Sequence, residues 1–414
     1  MTKLRAALAA VACLAGTAAE AQTSVTLYGI ADGGFSHVTG QKGAKNRLVS
    51  GVMEGSRWGL RGNEDLGGGY RAVFTLENRF EIDTGALSNR PPSGTQLPDR
   101  FTSASELGLT QALQPVVTAL GERYAQDRLG VNLEGRYFDR QAFVGLVTPV
   151  GALLAGRQYT PAYELHATFE TMHTESSLAF GQVAAFPPSL EIRSSDTLAY
   201  RIQLGGLTAS AMYGFGEGSS ENGRLVAVMA MYKTPAWGVG AAYQTRENEF
   251  GEKALTDTVL GAYVEVGPGT LFGQYINIKD DHPSSLQEGR DILLGLGFDR
   301  ELIVDPVIGA FAEALKQDAN AYHVGYRATS GSHTLAVAFS VFDDRRELDA
   351  DVRSYGAVYT YAFSKRTDVN LALTRFDNSD TAQVAPGQAG YYGGFASDPG
   401  QDVFSAAIGL RHRF

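Results

Sequence analysis

The feature that most constrains this chain is an alternation of hydrophobic and polar side chains that recurs from residue 24 to the C-terminus. Each run is about ten residues long, and a period of two is that of a β-strand whose two faces meet different surroundings. The run at 320–330 has large apolar side chains on one face and small or polar ones on the other: Tyr322, Val324 and Tyr326 against His323, Gly325 and Arg327. The alternation predicts an all-β fold.

The connections between the runs also alternate, between tight turns and long polar loops. The stretches at 64–69 and 267–269 are short and glycine-rich, whereas those at 83–136 and 159–193 are long. Short turns at one rim and long loops at the other are typical of a transmembrane antiparallel β-barrel. We count 18 strand-like runs, including runs at 289–300 and 306–317.

A secreted β-sandwich or solenoid is the alternative, because any half-buried sheet alternates in this way. Soluble sandwiches bury their apolar face, however, and rarely place Tyr and Phe repeatedly near strand ends. A soluble sheet of 18 strands with only 14 prolines in the chain would also leave edges to protect. The pattern therefore favours the membrane barrel.

The N-terminal segment has the features of a secretory signal peptide. Lys3 and Arg5 precede an apolar run at 6–15, and the small residues Ala19 and Ala21 fit a cleavage site. We therefore expect a signal peptide at 1–21 and a barrel domain at 22–414. The single cysteine, Cys13, lies inside this segment, so the mature chain must be stable without disulfides.

Several functions find little support in the sequence. A formal net charge of −10 argues against nucleic acid as a partner. The glycine-rich stretch at 214–223 opens no helix after a buried parallel strand, which argues against phosphate binding. The seven histidines lack metal-ligand spacing, so neither a metal nor a cofactor is expected. An outer-membrane protease or phospholipase is the enzymatic alternative, but its catalytic groups are not found, and we predict a protein that is not an enzyme.

Seven blocks of the chain can be compared with a known family: "SVTLYGIADGGF" (24–35), "SRWGLRGNEDLGGGYRAVFTLENRF" (56–80), "RQAFVGL" (140–146), "GRQYTPAY" (156–163), "YGFGEG" (213–218), "YAFSKRTDV" (361–369) and "GLRHRF" (409–414). In this order they resemble the general porins of β-proteobacteria, which are Gram-negative porins. The resemblance implies a homotrimeric outer-membrane channel for passive diffusion of small hydrophilic solutes and ions. A substrate-selective channel is the alternative within transport. Because the family usually has 16 strands, our count implies 16 to 18, with either an extra hairpin between 289 and 343 or an overcount.

A barrel of this size is too wide for its own side chains to fill, so it leaves a water channel. In similar porins the third loop folds inward and narrows this channel, and here that loop is 159–193. The resemblance implies that its acids face a basic wall across the constriction. The acids are Glu164, Glu170, Glu175 and Glu191; the basic residues are Arg57, Arg140 and Arg193, with Arg157 as a fourth.

Strand parity supports an inward direction for these arginines. If Trp58 and Leu60 face lipid, then Arg57 and Arg61 face the lumen, and Arg71 and Arg79 follow on the next run. An arginine facing the lipid core would cost about 2–4 kcal/mol. The alternative is that the arginines are ordinary lumen residues that pair with Glu77 or Asp32 and contribute little selectivity.

Two further segments carry expectations. The second loop, 83–136, is long and contains helix-like sequence at 106–129, broken near Pro115; it is interpreted either as a latch onto a neighbouring subunit or as a surface-capping or disordered insertion. The chain ends on an alternating run at 402–414, which we expect to pair with the first strand so that no edge meets lipid. The resemblance implies that the outer-membrane assembly machinery recognises the terminal Phe414.

Overall fold

The computed structural model describes residues 24–87, 98–128, 136–171, 191–216, 223–386 and 394–414. The expected signal peptide lies outside these ranges. The strands, in chain order, are β1 (Ser24–Thr39), β2 (Asn46–Ser50), β3 (Arg57–Gly67), β4 (Tyr70–Arg79), β5 (Gln141–Thr148), β6 (Gly151–Tyr159), β7 (Arg193–Leu204), β8 (Leu207–Gly214), β9 (Leu225–Lys233), β10 (Trp237–Glu247), β11 (Lys253–Val266), β12 (Gly269–Asp280), β13 (Gln317–Ser330), β14 (His333–Asp344), β15 (Val352–Ala362), β16 (Thr367–Asn378), β17 (Val384–Ala385), β18 (Gly394–Phe395) and β19 (Val403–Arg413).

The helices of the described residues lie in the connections between strands. They are α1 (Asp99–Thr102), α2 (Gln114–Arg128), α3 (Pro161–Phe169), α4 (Leu286–Gly295) and α5 (Asp305–Leu315), with a 3₁₀ turn at Gln111–Leu113 and a π-helical turn at Arg300–Val304. None of the helices within the described ranges has the length and hydropathy needed to cross a membrane.

Sixteen of the strands close into an antiparallel barrel, which confirms the predicted fold class. Neighbours along the chain pair with each other, and β1 closes the ring by pairing with β19 from Ile30 and Arg413 to Thr39 and Phe404. The seam extends to the last residue, because the backbone N–H of Phe414 donates to the Gly29 carbonyl at 3.0 Å. The aromatic ring of Phe414 lies directly over Gly29, where no Cβ could be accommodated.

The side chains of β19 show why this sequence belongs in a barrel wall. Ile408 and Leu410 point outward and are 52% and 51% exposed, whereas Arg411 points inward and is 6% exposed. The outward pair is in position to meet lipid, and the inward arginine is bound to Asp368 at 3.0 Å. The period of two therefore separates a lipid-facing surface from a polar lumen, as expected.

The prediction of strands at 289–300 and 306–317 is wrong. These residues form α4, the π-helical turn and α5 in the connection between β12 and β13. The buried side chains in this connection recur every three or four residues, at Val304, Val307, Ile308, Phe311 and Leu315, which is helical spacing. Pro306 also fits the first turn of a helix better than a strand interior. The count of 18 was therefore an overcount and not an extra hairpin.

Candidate functional site

The third loop folds into the barrel, as the resemblance to porins implies. It begins with α3, where Thr160 caps the helix by accepting a hydrogen bond from the Tyr163 backbone N–H at 3.3 Å and Pro161 occupies the first turn. The apolar face of α3 packs against the inner wall formed by β9 to β12, and Leu165 and Phe169 are both fully buried there. The loop thus lies against one side of the lumen.

Glycines in the inner wall make room for this helix. Gly240 of β10 and Gly261 of β11 are paired across the sheet. A Cβ at Gly261 would lie 2.5 Å from ring atoms of Phe169, and one at Gly240 would lie 2.6 Å from Leu165. These positions require glycine because another element approaches the backbone closely.

Hydrogen bonds hold the loop further along. Nδ1 of His166 lies 2.9 Å from Oε1 of Gln274 on β12, and Oγ1 of Thr171 lies 2.7 Å from Nε2 of His323 on β13. The described part of the loop therefore runs along the wall from β6 to β13. Residues 172–190, which include the predicted constriction residue Glu175, lie outside the described ranges.

The first loop also folds inward, which the sequence analysis missed. Val49, Val52 and Met53 pack on alanines and a valine of the inner wall from β14 to β19: Ala336, Val358, Ala372 and Ala407. The carboxylate of Asp32 fixes this segment, because it accepts the backbone N–H groups of Val52, Met53 and Glu54 at 2.8–2.9 Å. The first and third loops therefore cover two different sectors of the lumen wall.

The sector from β3 to β7 carries the predicted basic residues. Arg57 begins β3, Arg140 precedes β5, Arg157 lies on β6 and Arg193 begins β7. Arg79, at the end of β4, joins them; strand parity placed it in the lumen but not in this cluster. We call these five residues the arginine wall.

Carboxylates compensate part of the arginine wall. Nε of the fully buried Arg140 donates to Glu77 at 2.8 Å, and Nη2 of Arg57 donates to Glu54 at 2.7 Å. Nε of Arg79 lies 3.6 Å from the carboxylate of Asp139. The pairing with Glu77 that was considered from sequence is therefore present, whereas Asp32 binds backbone amides of the first loop.

Tyr159 organises the wall and was not singled out from the sequence. Its hydroxyl accepts a hydrogen bond from Arg140 at 2.8 Å and another from Arg193 at 3.0 Å. The guanidinium of Arg193 also lies over its ring, 4.6 Å from the centroid, and the ring stacks on Tyr163 of α3 at 5.3 Å. The position of Tyr159 in the block "GRQYTPAY", between an arginine and the start of the third loop, was the available signal.

Arg157 differs from the compensated arginines. Its Nε donates to the backbone carbonyl of Asp139 at 2.7 Å, and its Nη1 donates to the hydroxyl of Ser195 at 2.9 Å. Both acceptors are neutral. Arg157 is thus hydrogen-bonded to neutral groups, and the carboxylates of Asp139 and Glu191 act on it only electrostatically.

The three predicted acids of the third loop that lie within the described ranges each interact with an arginine. Glu164 binds Arg201 of β7 at 2.6 Å, and Glu191 binds Arg246 of β10 through both carboxylate oxygens. Glu170 is 5% exposed and acts electrostatically on Arg327 of β13. The structure therefore brings Arg57, Arg140, Arg157 and Arg193 together, while Glu164 binds Arg201 and Glu170 acts electrostatically on Arg327.

Glu81 follows the end of β4 by two residues and lies near Arg79. Burial raises the pKa of its carboxyl from 4.5 to about 7, although nearby Arg79 lowers it. The carboxyl is therefore mostly charged at pH 8 and mostly neutral at pH 6. The region beside Arg79 loses this negative charge as the pH falls, so its net charge becomes more positive. We expect anion preference, measured by reversal potential in planar bilayers, to rise from pH 8 to pH 6.

Glu81→Gln is the control for this pH effect. It should give the pH 6 preference at both pH values, because the amide does not ionise. A Glu81→Gln channel that kept the full change between pH 8 and pH 6 would contradict the assignment.

The fold and the site together define a porin-type channel: a 16-stranded antiparallel barrel whose lumen is narrowed by inward-folded loops beside a wall of arginines. The sequence model of the Gram-negative porin family matches residues 6–381. The chain belongs to this family, and it is a protein of the outer membrane that forms a diffusion channel.

Individual relatives agree over the full length. An outer membrane porin protein of Bordetella pertussis is 25% identical over 458 aligned positions, covering 98% of this chain and 99% of that protein. Outer membrane porin protein 32 of Delftia acidovorans is 23% identical and covers 99% of this chain and 100% of its own. Among solved structures, an anion-selective porin from Comamonas acidovorans is similar with a TM-score of 0.64 and 21% identity, covering 95% of this chain and 100% of that one.

Proposed function

We propose that the channel passes small hydrophilic solutes and ions by passive diffusion and that the arginine wall gives it a preference for anions. The observation that carries this proposal is the convergence of five arginines from adjacent strands on the sector between the two inward loops. Guanidinium groups stay charged at any working pH, so they attract anions without titrating. Arg57, Arg140, Arg157 and Arg193 form the basic side of the constriction in this proposal, and Glu164, Glu170 and Glu175 belong to the acidic loop. The similar porin from Comamonas acidovorans is described as anion-selective.

Planar bilayers with a salt gradient test this proposal. We expect stepwise conductance and a reversal potential of the sign given by anion permeation. A channel with the opposite sign would contradict the anion preference, and the absence of stepwise conductance would contradict the channel itself. Purified protein should hydrolyse neither phospholipid nor peptide; turnover in either assay would favour an outer-membrane enzyme.

A substrate-selective channel is the second candidate, because the first loop narrows the lumen in addition to the third. Val49, Val52 and Met53 occupy space beside the inner wall that the third loop leaves free. Two inward loops and the stacked Tyr159 and Tyr163 could form a binding site for one solute class. Strong block of the ion current by a single solute would favour this candidate over a general channel.

We infer that the channel is a homotrimer. A structure of OmpT from Vibrio cholerae described as a trimer form is similar to this chain with a TM-score of 0.57 and 12% identity, and covers 95% of this chain. Detergent-solubilised protein should therefore migrate at the mass of three chains, and a monomeric mass would contradict the inference.

We further propose that the assembly machinery recognises Phe414, and that deletion of this residue reduces assembly more than conductance. The residue ends β19 with its ring 45% exposed on the outer surface, beside the seam with β1. Deletion removes this exposed ring and the backbone pairing with Gly29 that completes the seam. The measurement is the amount of folded protein in isolated outer membranes, followed by single-channel recording of the fraction that assembles.

Phe414→Tyr is the matched control, because it keeps the aromatic ring and the backbone pairing. Normal amounts of folded protein after deletion of Phe414 would contradict a role in assembly.

A further inference from the structure

Helices from two outer loops share one hydrophobic core that is separate from the barrel. The second loop contributes Phe101, Val117 and Tyr124, and the connection between β12 and β13 contributes Leu293, Val307 and Phe311. Tyr124 and Phe311 meet edge to face, with ring centroids 4.9 Å apart. Arg123 and Glu288 form an ion pair at 2.6 Å between the two loops. We call α1, α2, α4 and α5 together the helical arch.

The two loops leave the barrel on opposite sides. In the ring of 16 strands, β12 is eight strands from β4 (β5, β6, β7, β8, β9, β10, β11, β12), and β13 is likewise eight strands from β5. Sixteen strands spaced about 4.8 Å apart and tilted by about 40° make a ring about 32 Å across. A helix of 15 residues such as α2 spans about 22 Å of this distance. Because the helices meet in a common core, the arch spans the outer opening of the barrel.

Contacts with two other outer loops show which half of the opening the arch covers. Asp99 of α1 binds Lys42 of the first loop at 2.7 Å, and its backbone N–H donates to Gln383 of the last loop at 2.7 Å. Phe395 of the last loop enters the core of the arch. These loops emerge beside β1 and β19, so the arch lies over the half that contains them.

Buried side chains and hydrogen bonds hold the arch in a defined conformation. Val117, Val307 and Phe311 are fully buried. Glu249, in the connection between β10 and β11, holds the start of α4. Its carboxylate accepts the backbone N–H groups of Ser285 and Gln287 at 3.0 and 2.9 Å. A helical core anchored at several points around the rim keeps its shape as solutes pass.

From this geometry we propose that the helical arch is a sieve at the outer entrance, a selection step that acts before the constriction. The inference rests on the proposed function as a diffusion channel. The arch restricts bulky hydrophilic solutes by size at the outer opening, while the arginine wall acts on charge deeper in the lumen. Opening the arch changes which molecules reach the outer vestibule and leaves ion selectivity unaltered.

Polyethylene glycols of increasing size, added to one side of channels in a planar bilayer, test the sieve. A polymer that enters the vestibule on its own side lowers the conductance. Two variants open the arch: Phe311→Asp, which places a carboxylate in its core, and replacement of residues 99–128 by a short Gly-Ser linker. We expect both to admit larger polymers from the outer side, with the size limit from the inner side and the reversal potential unchanged.

The matched control is Leu302→Asp, which adds the same charge in the same connection at a side chain that is 76% exposed. It should keep the parent's size limit on both sides. If Phe311→Asp fails to assemble, the linker variant still decides, because it buries no charge. Conducting variants with the parent's outer size limit overturn the sieve, whereas a parent chain that forms no channel overturns the proposed function instead.

Discussion

Replacing Arg157 and Arg193 together by glutamine is expected to remove most of the anion preference of the channel. Both residues belong to the arginine wall, and Arg157 donates hydrogen bonds to two neutral acceptors, the Asp139 carbonyl and the Ser195 hydroxyl. A unit charge about 4 Å from a permeating ion contributes about 1 kcal/mol even in water, roughly a fivefold factor in permeability for each arginine removed. The measurement is the reversal potential in a salt gradient, from which the ratio of anion to cation permeability follows.

Arg366→Gln is the control for this substitution. Arg366 is an exposed arginine in the short turn between β15 and β16, so it carries the same charge at the opposite rim. Its loss should leave the permeability ratio close to that of the parent. Equal ratios in the double variant and the parent would show that the arginine wall is an ordinary solvated surface.

Arg57→Ala and Arg140→Ala test the compensated part of the wall separately. Their charges are paired with Glu54 and Glu77, so each substitution leaves a carboxylate with one partner fewer. We expect these variants to shift selectivity towards cations, and Arg140→Ala also to lower stability because Glu77 is buried. Unchanged selectivity in both variants would show that Arg57 and Arg140 do not contribute to selection at the constriction.

The barrel was predictable because each strand that crosses the membrane shows the same alternation of apolar and polar side chains. A strand with lipid on one side and water on the other must alternate, and the closing pair β1 and β19 follows from the need to leave no backbone edge in lipid. The direction of Arg57 and Arg79 followed from the same parity. The third loop was placed by resemblance, and its inward packing is confirmed by α3 and its buried Phe169.

Features that depend on contacts between distant segments could not be predicted in this way. The helices within residues 286–315 share a core with α2, and the apolar spacing that fits a helix does not reveal that partner. The inward fold of the first loop depends on Asp32, whose carboxylate binds amides some 20 residues away. A buried carboxylate on a lumen-facing strand was visible in the sequence only as one polar residue among many.

The partners of the charged residues were also beyond the sequence. Glu164 and Glu170 were expected to face the arginine wall, yet they lie beside Arg201 and Arg327. Which arginine each acid interacts with depends on where α3 packs against the inner wall of the barrel. That position is set by Gly240 and Gly261. Glycine positions of this kind carry no hydrophobic period, so the pattern that predicted the strands gave no information about them.

Gly261→Val is expected to displace the third loop and to increase conductance. The inner face of β11 at this position is in contact with the ring of Phe169, and a Cβ would lie 2.5 Å from it. If α3 stayed in place, the overpacking would cost about 1–3 kcal/mol. We expect the loop to move and the barrel to remain, because continuous strand pairing holds the barrel, whereas the added side chain acts directly on the packing of Phe169. Single-channel recording should then show a larger and noisier current.

Gly273→Val is the control for the added side chain alone, because it places a valine on the outward face of the neighbouring strand β12, where the nearest atom to its Cβ, the His323 carbonyl oxygen, is 3.9 Å away. It should conduct like the parent. Equal conductance in Gly261→Val and the parent, with the barrel folded, would mean that the third loop does not limit the current. The first loop, held by Asp32 and packed on the sector from β14 to β19, would then be the element that limits the current, and Asp32→Asn would be the substitution that widens the channel.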